Sequence, residues 1–283
     1  MEITLKDILQ NFKRQLATHY PAGEIDGMVL IMLDHELGYS RIDAILHSES
    51  KMPAFVAEKF NAVARRLLND EPLQYILGDA YFYGRHYRVT PATLIPRPET
   101  EGLIDMIADE NPEPDLRVLD IGTGSGCIAI SIALTLRFAD VTAIDISHEA
   151  LAVAQENAHK LKARIKFCEA DILAMPLPQM PLYDIIVSNP PYITNGERAS
   201  MERNVLDFEP HNALFVPDEQ PLLFYDAIAR YASAALQPGG KLYLEINSRF
   251  PAETCHLLTS HELNDAQAFN DYRGLPRFVK ATK

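Results

Sequence analysis

Cysteine is scarce in this chain: Cys127, Cys168 and Cys255 are the only three in 283 residues, and no two form a C-x-x-C pair. That spacing excludes a disulfide framework and the common zinc sites, so the thiols read as reduced, mostly buried side chains and no metal is expected. Long apolar runs are missing too, and none approaches the ~18 residues that suggest a membrane span. The opening "MEITLKDILQ" is acidic and amphipathic, unlike a signal peptide, which points to a cytoplasmic protein with no membrane partner. Nor is either part of the chain basic. Residues 1–90 hold 10 Lys and Arg against 12 Asp and Glu, and residues 91–283 hold 16 against 27. A protein that neutralises many phosphates needs a basic face, so a direct nucleic-acid substrate is not expected. No internal repeat or low-complexity tract is visible.

What remains is an ordinary globular composition, 47% hydrophobic and 23% charged, over a length that suggests two domains. Residues 1–72 read as a helical domain. Leu5, Ile8, Leu9, Phe12 and Leu16 fall at helical spacing, as do Val29, Leu30, Leu33 and Leu37, then Val56, Phe60, Val63 and Leu67. Breaks at "YPAG", "LGYS" and "KMP" divide them into four or five helices. Residues 73–99 turn aromatic and β-prone, punctuated by Gly and Pro, and predict a hairpin-bearing connector to a helix near Thr100. Arg97 lies there between two prolines, which hold its backbone extended.

Residues 100–283 alternate strand and helix. Strands are predicted at 116–122, 140–147, 164–172, 183–189 and 239–247, with a β-prone tail after a last helix. Repeated strand–helix–strand units imply an α/β fold with a doubly wound, mostly parallel sheet and ligands at the carboxyl ends of its strands.

Three glycines, Gly122, Gly124 and Gly126, separate the first strand from its helix in "LDIGTGSGCIAI". Glycine permits the tight turn and a close approach to a ligand, and the helix that follows aims its positive end at the same spot. The spacing is G-x-G-x-G, whereas the dinucleotide fingerprint of dehydrogenases is G-x-G-x-x-G. Thr123 and Ser125 fill the loop, and Asp120 stands two positions before the first glycine. Asp145 ends strand two, where a carboxylate can accept from both hydroxyls of a ribose. Asp171, ending strand three, stands where it could accept from an adenine amine.

The fourth strand ends in "YDIIVSNPPYIT". Asn189 precedes Pro190, which biases its backbone toward extended conformations, and Pro191 restricts Pro190 likewise. Neither proline has an N–H to donate. The Asn189 side-chain oxygen and the Pro190 carbonyl are thus left to point into a cleft as paired acceptors, matched to the two hydrogens of a planar NH₂ group. Tyr192 is expected to supply an aromatic wall beside that group. Such a fork suits a difficult nucleophile, an amide or aromatic amine whose lone pair is delocalised, because it works by positioning and by acceptors that strengthen as charge develops.

The glycine loop and its flanking acids resemble the class I S-adenosylmethionine-dependent methyltransferases. Over essentially its whole length the chain resembles, more narrowly, the protein-(glutamine-N5) methyltransferases that modify peptide chain release factors. The matching pieces are "LQYILG", "FYG", "LIPRPETE", "VLDIGTGSGCIAI", "AIDIS", "IVSNPPYI" and "FEPHNAL". The resemblance implies S-adenosyl-L-methionine as cofactor and S-adenosyl-L-homocysteine as product. It implies cofactor contacts from Asp120, Gly122 through Gly126, Asp145, Asp171, Ile172 and Asn189. Substrate contacts would come from Asn189, Pro190, Pro191 and Tyr192, with Arg97 and Glu101 bordering the cleft. The substrate would be the glutamine of a Gly-Gly-Gln loop, the helical domain its docking surface, and the enzyme a monomer. "NPPY" also occurs in N6-adenine DNA and RNA methyltransferases, the alternative for this chain. Two positions depart from the family pattern: Ile172 stands where an aromatic is common, and "LEINSRF" lacks the glycine that often follows the acid of strand five, which leaves Glu245 without an assigned role.

Overall fold

The computed structural model describes residues 3–180 and 182–283. The chain divides into two compact units, residues 3–78 with 203–208, and residues 79–202 with 209–283. Among the described residues no helix is long and apolar enough to cross a membrane.

The first unit is helical: Leu5–Leu16, Ala22–Leu37, Arg41–Leu46, Ala54–Leu67 and Leu73–Leu77. Thr4 and Ser40 each cap a helix by accepting the N–H three residues on, with Asp7 and Asp43 reaching back. Leu5, Ile8, Phe12 and Leu16 are buried against Met32, Leu33, Phe60 and Leu67, which follows the predicted stripes. Leu30 departs from its stripe and is 38% exposed, because Met32 takes the inward place on that helix. Asp70 pairs with His19 at 2.7 Å and with Arg203 at 3.1 Å, which ties residues 203–208 to this unit.

The second unit is built on a seven-stranded sheet. Its strands in chain order are β1 (Arg117–Ile121), β2 (Asp140–Asp145), β3 (Ile165–Glu169), β4 (Tyr183–Ser188), β5 (Leu236–Glu245), β6 (Asn264–Asn270) and β7 (Pro276–Thr282). Across the sheet they lie in the order β6-β7-β5-β4-β1-β2-β3, with β1 to β5 parallel and β7 antiparallel to both β5 and β6. Side chains alternate between the two faces, as a two-residue repeat requires. Leu119, Ile121, Ile186, Leu242 and Leu244 pack under the helices Leu223–Ala235 and Pro251–Ser260. Val118, Ile185, Val187 and Tyr243 pack on the other side, where Glu101–Glu110, Cys127–Thr135 and His148–Leu161 lie. With both faces covered, the middle residues of the central strands present apolar side chains to both sides.

The predicted hairpin is present as Asp79–Phe82 paired antiparallel with Arg85–Arg88. It joins the second unit, with Phe82 and Tyr87 fully buried against the sheet's helices. Asn157, completely buried on the helix His148–Leu161, fastens it. Its Oδ1 accepts from the Arg88 N–H at 2.7 Å, and its Nδ2 donates to the carbonyls of Arg88 and Ser125, each at 2.9 Å. One side chain therefore satisfies backbone groups of both the hairpin and the glycine loop. Asn157→Ala leaves those groups buried without partners, and the expected loss is about 2–4 kcal/mol in urea unfolding. A loss below about 0.5 kcal/mol would mean that the hairpin is held elsewhere.

Candidate active site

The chain order of the sheet reverses at β1, which has β2 on one side and β4 on the other. The carboxyl ends of such strands leave a crevice there. A cavity of 240 Å³ fills it, bounded by the loop after β1, the ends of β2 and β4, the turn after β3, and segments near residues 92–100 and 212–228.

Gly122, Gly124 and Gly126 all have positive φ, at 73°, 55° and 82°. A Cβ at either of the first two would meet no atom within 4 Å, so both turn their open side outward from the chain, and both line the cavity. Gly126 differs. A Cβ there would press on Ala154 and Ile130 at 3.1 Å, so this glycine serves helix packing and does not line the cavity. The N–H groups of Gly122 and Thr123 donate to the Ile144 carbonyl, and that of Gly124 donates to Asp145. Folding the loop back onto β2 fixes its shape.

Asp120 is fully buried. Its Oδ2 accepts from Thr123 Oγ1 at 2.7 Å, while its Oδ1 has no hydrogen-bond partner. Burial pushes its carboxyl up to about 7, against the hydrogen bonds from Thr123 and the Ala129 backbone. Asp145 is oriented from both sides: Oδ2 accepts from Gly124 N–H at 2.8 Å and Oδ1 from Ser147 N–H at 2.9 Å. Each oxygen keeps lone pairs for further donors. Burial raises this carboxyl also. Asp171 lines the cavity beside Ile172 and Leu173, its Oδ1 held by the Leu173 N–H at 2.9 Å.

Asn189, Pro190 and Pro191 all line the cavity, facing the loop after β1. Asn189 is half-buried, and its Nδ2 lies 3.5 Å from Thr100 Oγ1. Arg97 lines the cavity too, held at 2.6 Å by Glu209, whose other oxygen accepts from the Ile95 N–H.

Asp120 and Gly126 are not among the cavity's lining residues, and two further expected residues sit elsewhere. Tyr192 is not among the cavity's lining residues; its ring packs against the core and its hydroxyl donates to Glu245 Oε1 at 3.1 Å. A buried phenol needs an acceptor, and that need turns it away from the cleft. Glu101 is also off the cavity wall, because its carboxylate accepts the Tyr83 N–H at 2.7 Å and so secures the tight turn of the hairpin. Conversely, the structure adds Ile146, 57% exposed yet lining the cavity directly after Asp145, together with Phe224. Ile146 was within reach of sequence reasoning, since an apolar residue left exposed beside a ribose-type acid invites a flat ligand; Phe224, 35 residues beyond Asn189, gave no local signal.

The glycines open to the cavity, the doubly held Asp145 carboxylate and the apolar pair Ile146 and Ile172 line the cavity in a row, and the unpartnered Asp120 oxygen lies buried off its wall. The row fits a ligand with a cationic amine at one end, a sugar diol in the middle and a flat base at the other. S-adenosyl-L-methionine has that shape.

Residues 112–270 match the family described as "Methyltransferase domain", and residues 7–78 match the "PrmC N-terminal domain". The chain is similar to the release factor glutamine methyltransferase of Bacteroides thetaiotaomicron, 43% identical over 96% of this chain and 97% of that one. It is 41% identical to the Flavobacterium psychrophilum protein of the same name, over 98% of each. A solved methyltransferase from Pyrococcus furiosus shares the fold, at TM-score 0.52 and 18% identity over 79% of this chain and 98% of that one.

Asp120 generates a pH signature in the unliganded protein. Its folded value near 7 lies above the ordinary aspartate value of 3.8, so the folded state holds a proton that the unfolded state has released. Stability is therefore full below about pH 4, falls as pH rises to about 7, and is level above. The fall attributable to this group is at most roughly 4 kcal/mol, and Asp120→Asn should remove it in thermal melts across that window. An unchanged pH slope in the variant would show that the carboxylate is solvated.

Proposed function

This chain belongs to the release factor glutamine methyltransferases, and from that membership we propose how its cleft works. The enzyme uses S-adenosyl-L-methionine to methylate a glutamine of a peptide chain release factor. We assign the target as the amide nitrogen N5 of a Gly-Gly-Gln glutamine, since flanking glycines leave that side chain unobstructed enough to enter a narrow pocket. The reading rests chiefly on one juxtaposition: the Asn189–Pro190 acceptors and the loop Gly122–Ser125 line the same cavity.

Bound in the row from Gly122 to Ile172, the cofactor supplies an electrophilic methyl group on a sulfonium centre. In this reading Asp120 Oδ1 takes the ammonium of its methionine portion, the one partner that its buried carboxylate lacks. Asp145 accepts both ribose hydroxyls with the lone pairs left by Gly124 and Ser147. Ile146 and Ile172 close on the two faces of the adenine, and Asp171 accepts from its amine.

The other half of the cleft handles the amide. Asn189 Oδ1 and the Pro190 carbonyl each accept one hydrogen of the glutamine NH₂, which fixes the nitrogen in line with the methyl group. As a bond formed from that nitrogen to the methyl carbon while the carbon–sulfur bond broke to leave S-adenosyl-L-homocysteine, positive charge would develop on nitrogen and both acceptors would bind more strongly. Methylated nitrogen then gives up one of its protons, so no strong base is required beforehand. Pro191 stiffens the loop, Arg97 borders the substrate's path, and Tyr192 acts from behind by holding the loop to Glu245.

We place the enzyme in the cytoplasm as a monomer acting on a protein, with residues 3–78 as the docking surface for that protein. Neither part of the chain is basic, which disfavours a nucleic-acid substrate.

Incubating the protein with labelled S-adenosyl-L-methionine and a recombinant release factor should put label on the Gly-Gly-Gln glutamine alone. Equal labelling of a release factor that lacks this glutamine would refute the target. Asn189→Ala should lower transfer by about 10²-fold or more, with cofactor affinity by calorimetry kept within several-fold. Collapse of that affinity would instead make Asn189 a cofactor residue.

A further inference from the structure

The two ends of an asparagine amide have nearly the same shape, so packing alone does not decide which one faces the cleft. The fork described above works only with Oδ1 inward; reversed, Asn189 would meet the substrate's N–H groups with N–H groups of its own. Something behind Asn189 must set its orientation.

Behind it stands a chain of buried polar groups. Thr100 ends the short turn Pro98–Thr100, and Glu245 ends β5; they are 2% and 1% exposed. Thr100 Oγ1 donates to Glu245 Oε2 at 2.6 Å, and Tyr192 donates to Oε1 at 3.1 Å. Burial pushes the Glu245 carboxyl up, opposed by the Thr100 hydroxyl and by the positive charge of Arg277. Arg277 is in turn held to Asp271 at 3.2 Å.

Both Glu245 oxygens accept, one from Thr100 and one from Tyr192, so this side chain gives no hydrogen toward Thr100. Thr100 must therefore spend its single hydroxyl hydrogen on Glu245, and only lone pairs remain on the side toward Asn189. The amino end of Asn189 suits that surface and its oxygen does not. At 3.5 Å the Nδ2–Oγ1 contact is long for a hydrogen bond. Its consequence is directional, because the reversed amide would set lone pair against lone pair.

We propose that Thr100 and Glu245 are positioning residues of the transfer step, acting in series to hold the Asn189 amide with its oxygen in the cleft. The proposal rests on the methyl-transfer reading for its consequence in rate, although the orientation itself can be measured separately. It gives Glu245 a role that does not depend on the residues following it, so the departure at "LEINSRF" leaves that role intact.

Thr100→Val keeps the shape and removes the hydroxyl. Its kcat on a release factor should fall tenfold or more, with KM and cofactor affinity within about twofold of the parent, and Thr100→Ser should recover most of the rate. A Thr100→Val enzyme with parental kcat would overturn the proposal. Neutron diffraction on the full chain reads the same point without activity: the Thr100 deuteron should point to Glu245 and the Asn189 deuterons toward Thr100. In Glu245→Gln the new amide can donate to Thr100, and the Asn189 amide should reverse. A parent Thr100 deuteron aimed at Asn189 refutes the proposal even if Glu245→Gln does not fold. Absence of labelling by the parent enzyme would overturn the methyl-transfer reading, and the deuteron positions would still decide this one.

Discussion

A hydrogen-bond acceptor is useful to a substrate only if the protein itself leaves it alone. In a parallel sheet that is hard to arrange, because neighbouring strands and the turns that follow them compete for every carbonyl. The end of β4 meets the difficulty with chemistry that cannot pair. Pro190 and Pro191 bring no N–H, so the chain leaves the sheet without forming the turn that would consume its own acceptors. The Asn189 side chain is held from behind by groups that offer it only lone pairs. In the proposed mechanism both devices serve one end, a pair of oxygens offered to the substrate amide.

The opposite wall of the cleft follows the same logic with signs reversed. There the protein keeps charge that its own chain does not neutralise. Asp120 lies fully buried with one oxygen unpartnered, and burial raises its carboxyl far above the aspartate norm. Such a group destabilises the empty fold and is relieved by a cation. Asp145 is the moderate counterpart, doubly held by backbone N–H groups and still able to accept more. Behind them, Leu119, Ile121, Ile144 and Ile186 form an apolar core without such features.

Between the two walls, β5 does more than fill the sheet. Its last residue, Glu245, receives Thr100 from the start of the helix Glu101–Glu110 and Tyr192 from the loop after β4. Three segments far apart in sequence thereby share one buried carboxylate. Its charge is tolerable because Arg277, on the antiparallel strand β7, comes near it. The antiparallel strand β7, appended after the parallel core, thus supports the carboxylate that joins these segments.

Much of this was legible in the chain itself. Period-two and helical spacings gave the alternating strands and the helical stripes from Leu5 to Leu67, since both depend on local patterning, whereas the helix Leu73–Leu77 fell where the sequence suggested the hairpin connector. The glycine loop, Asp145 and "NPPY" announced themselves because each is a short contiguous stretch whose backbone chemistry is unusual. Other features were decided only when distant segments met. Tyr192 and Glu101 sit beside cleft residues in sequence, yet each turns away, because a buried phenol and an unpaired hairpin N–H compete for them. Gly126 looked like a ligand glycine and proved to be one that admits Ala154. Glu245 had no reading from its neighbours, since its meaning lies in Thr100, 145 positions away, and in Tyr192, 53 away. Local sequence determined which groups the strand ends would carry. Tertiary packing determined which of them would be left unsatisfied, because the partner of a buried polar group is chosen by whatever the fold brings within about 3 Å of it.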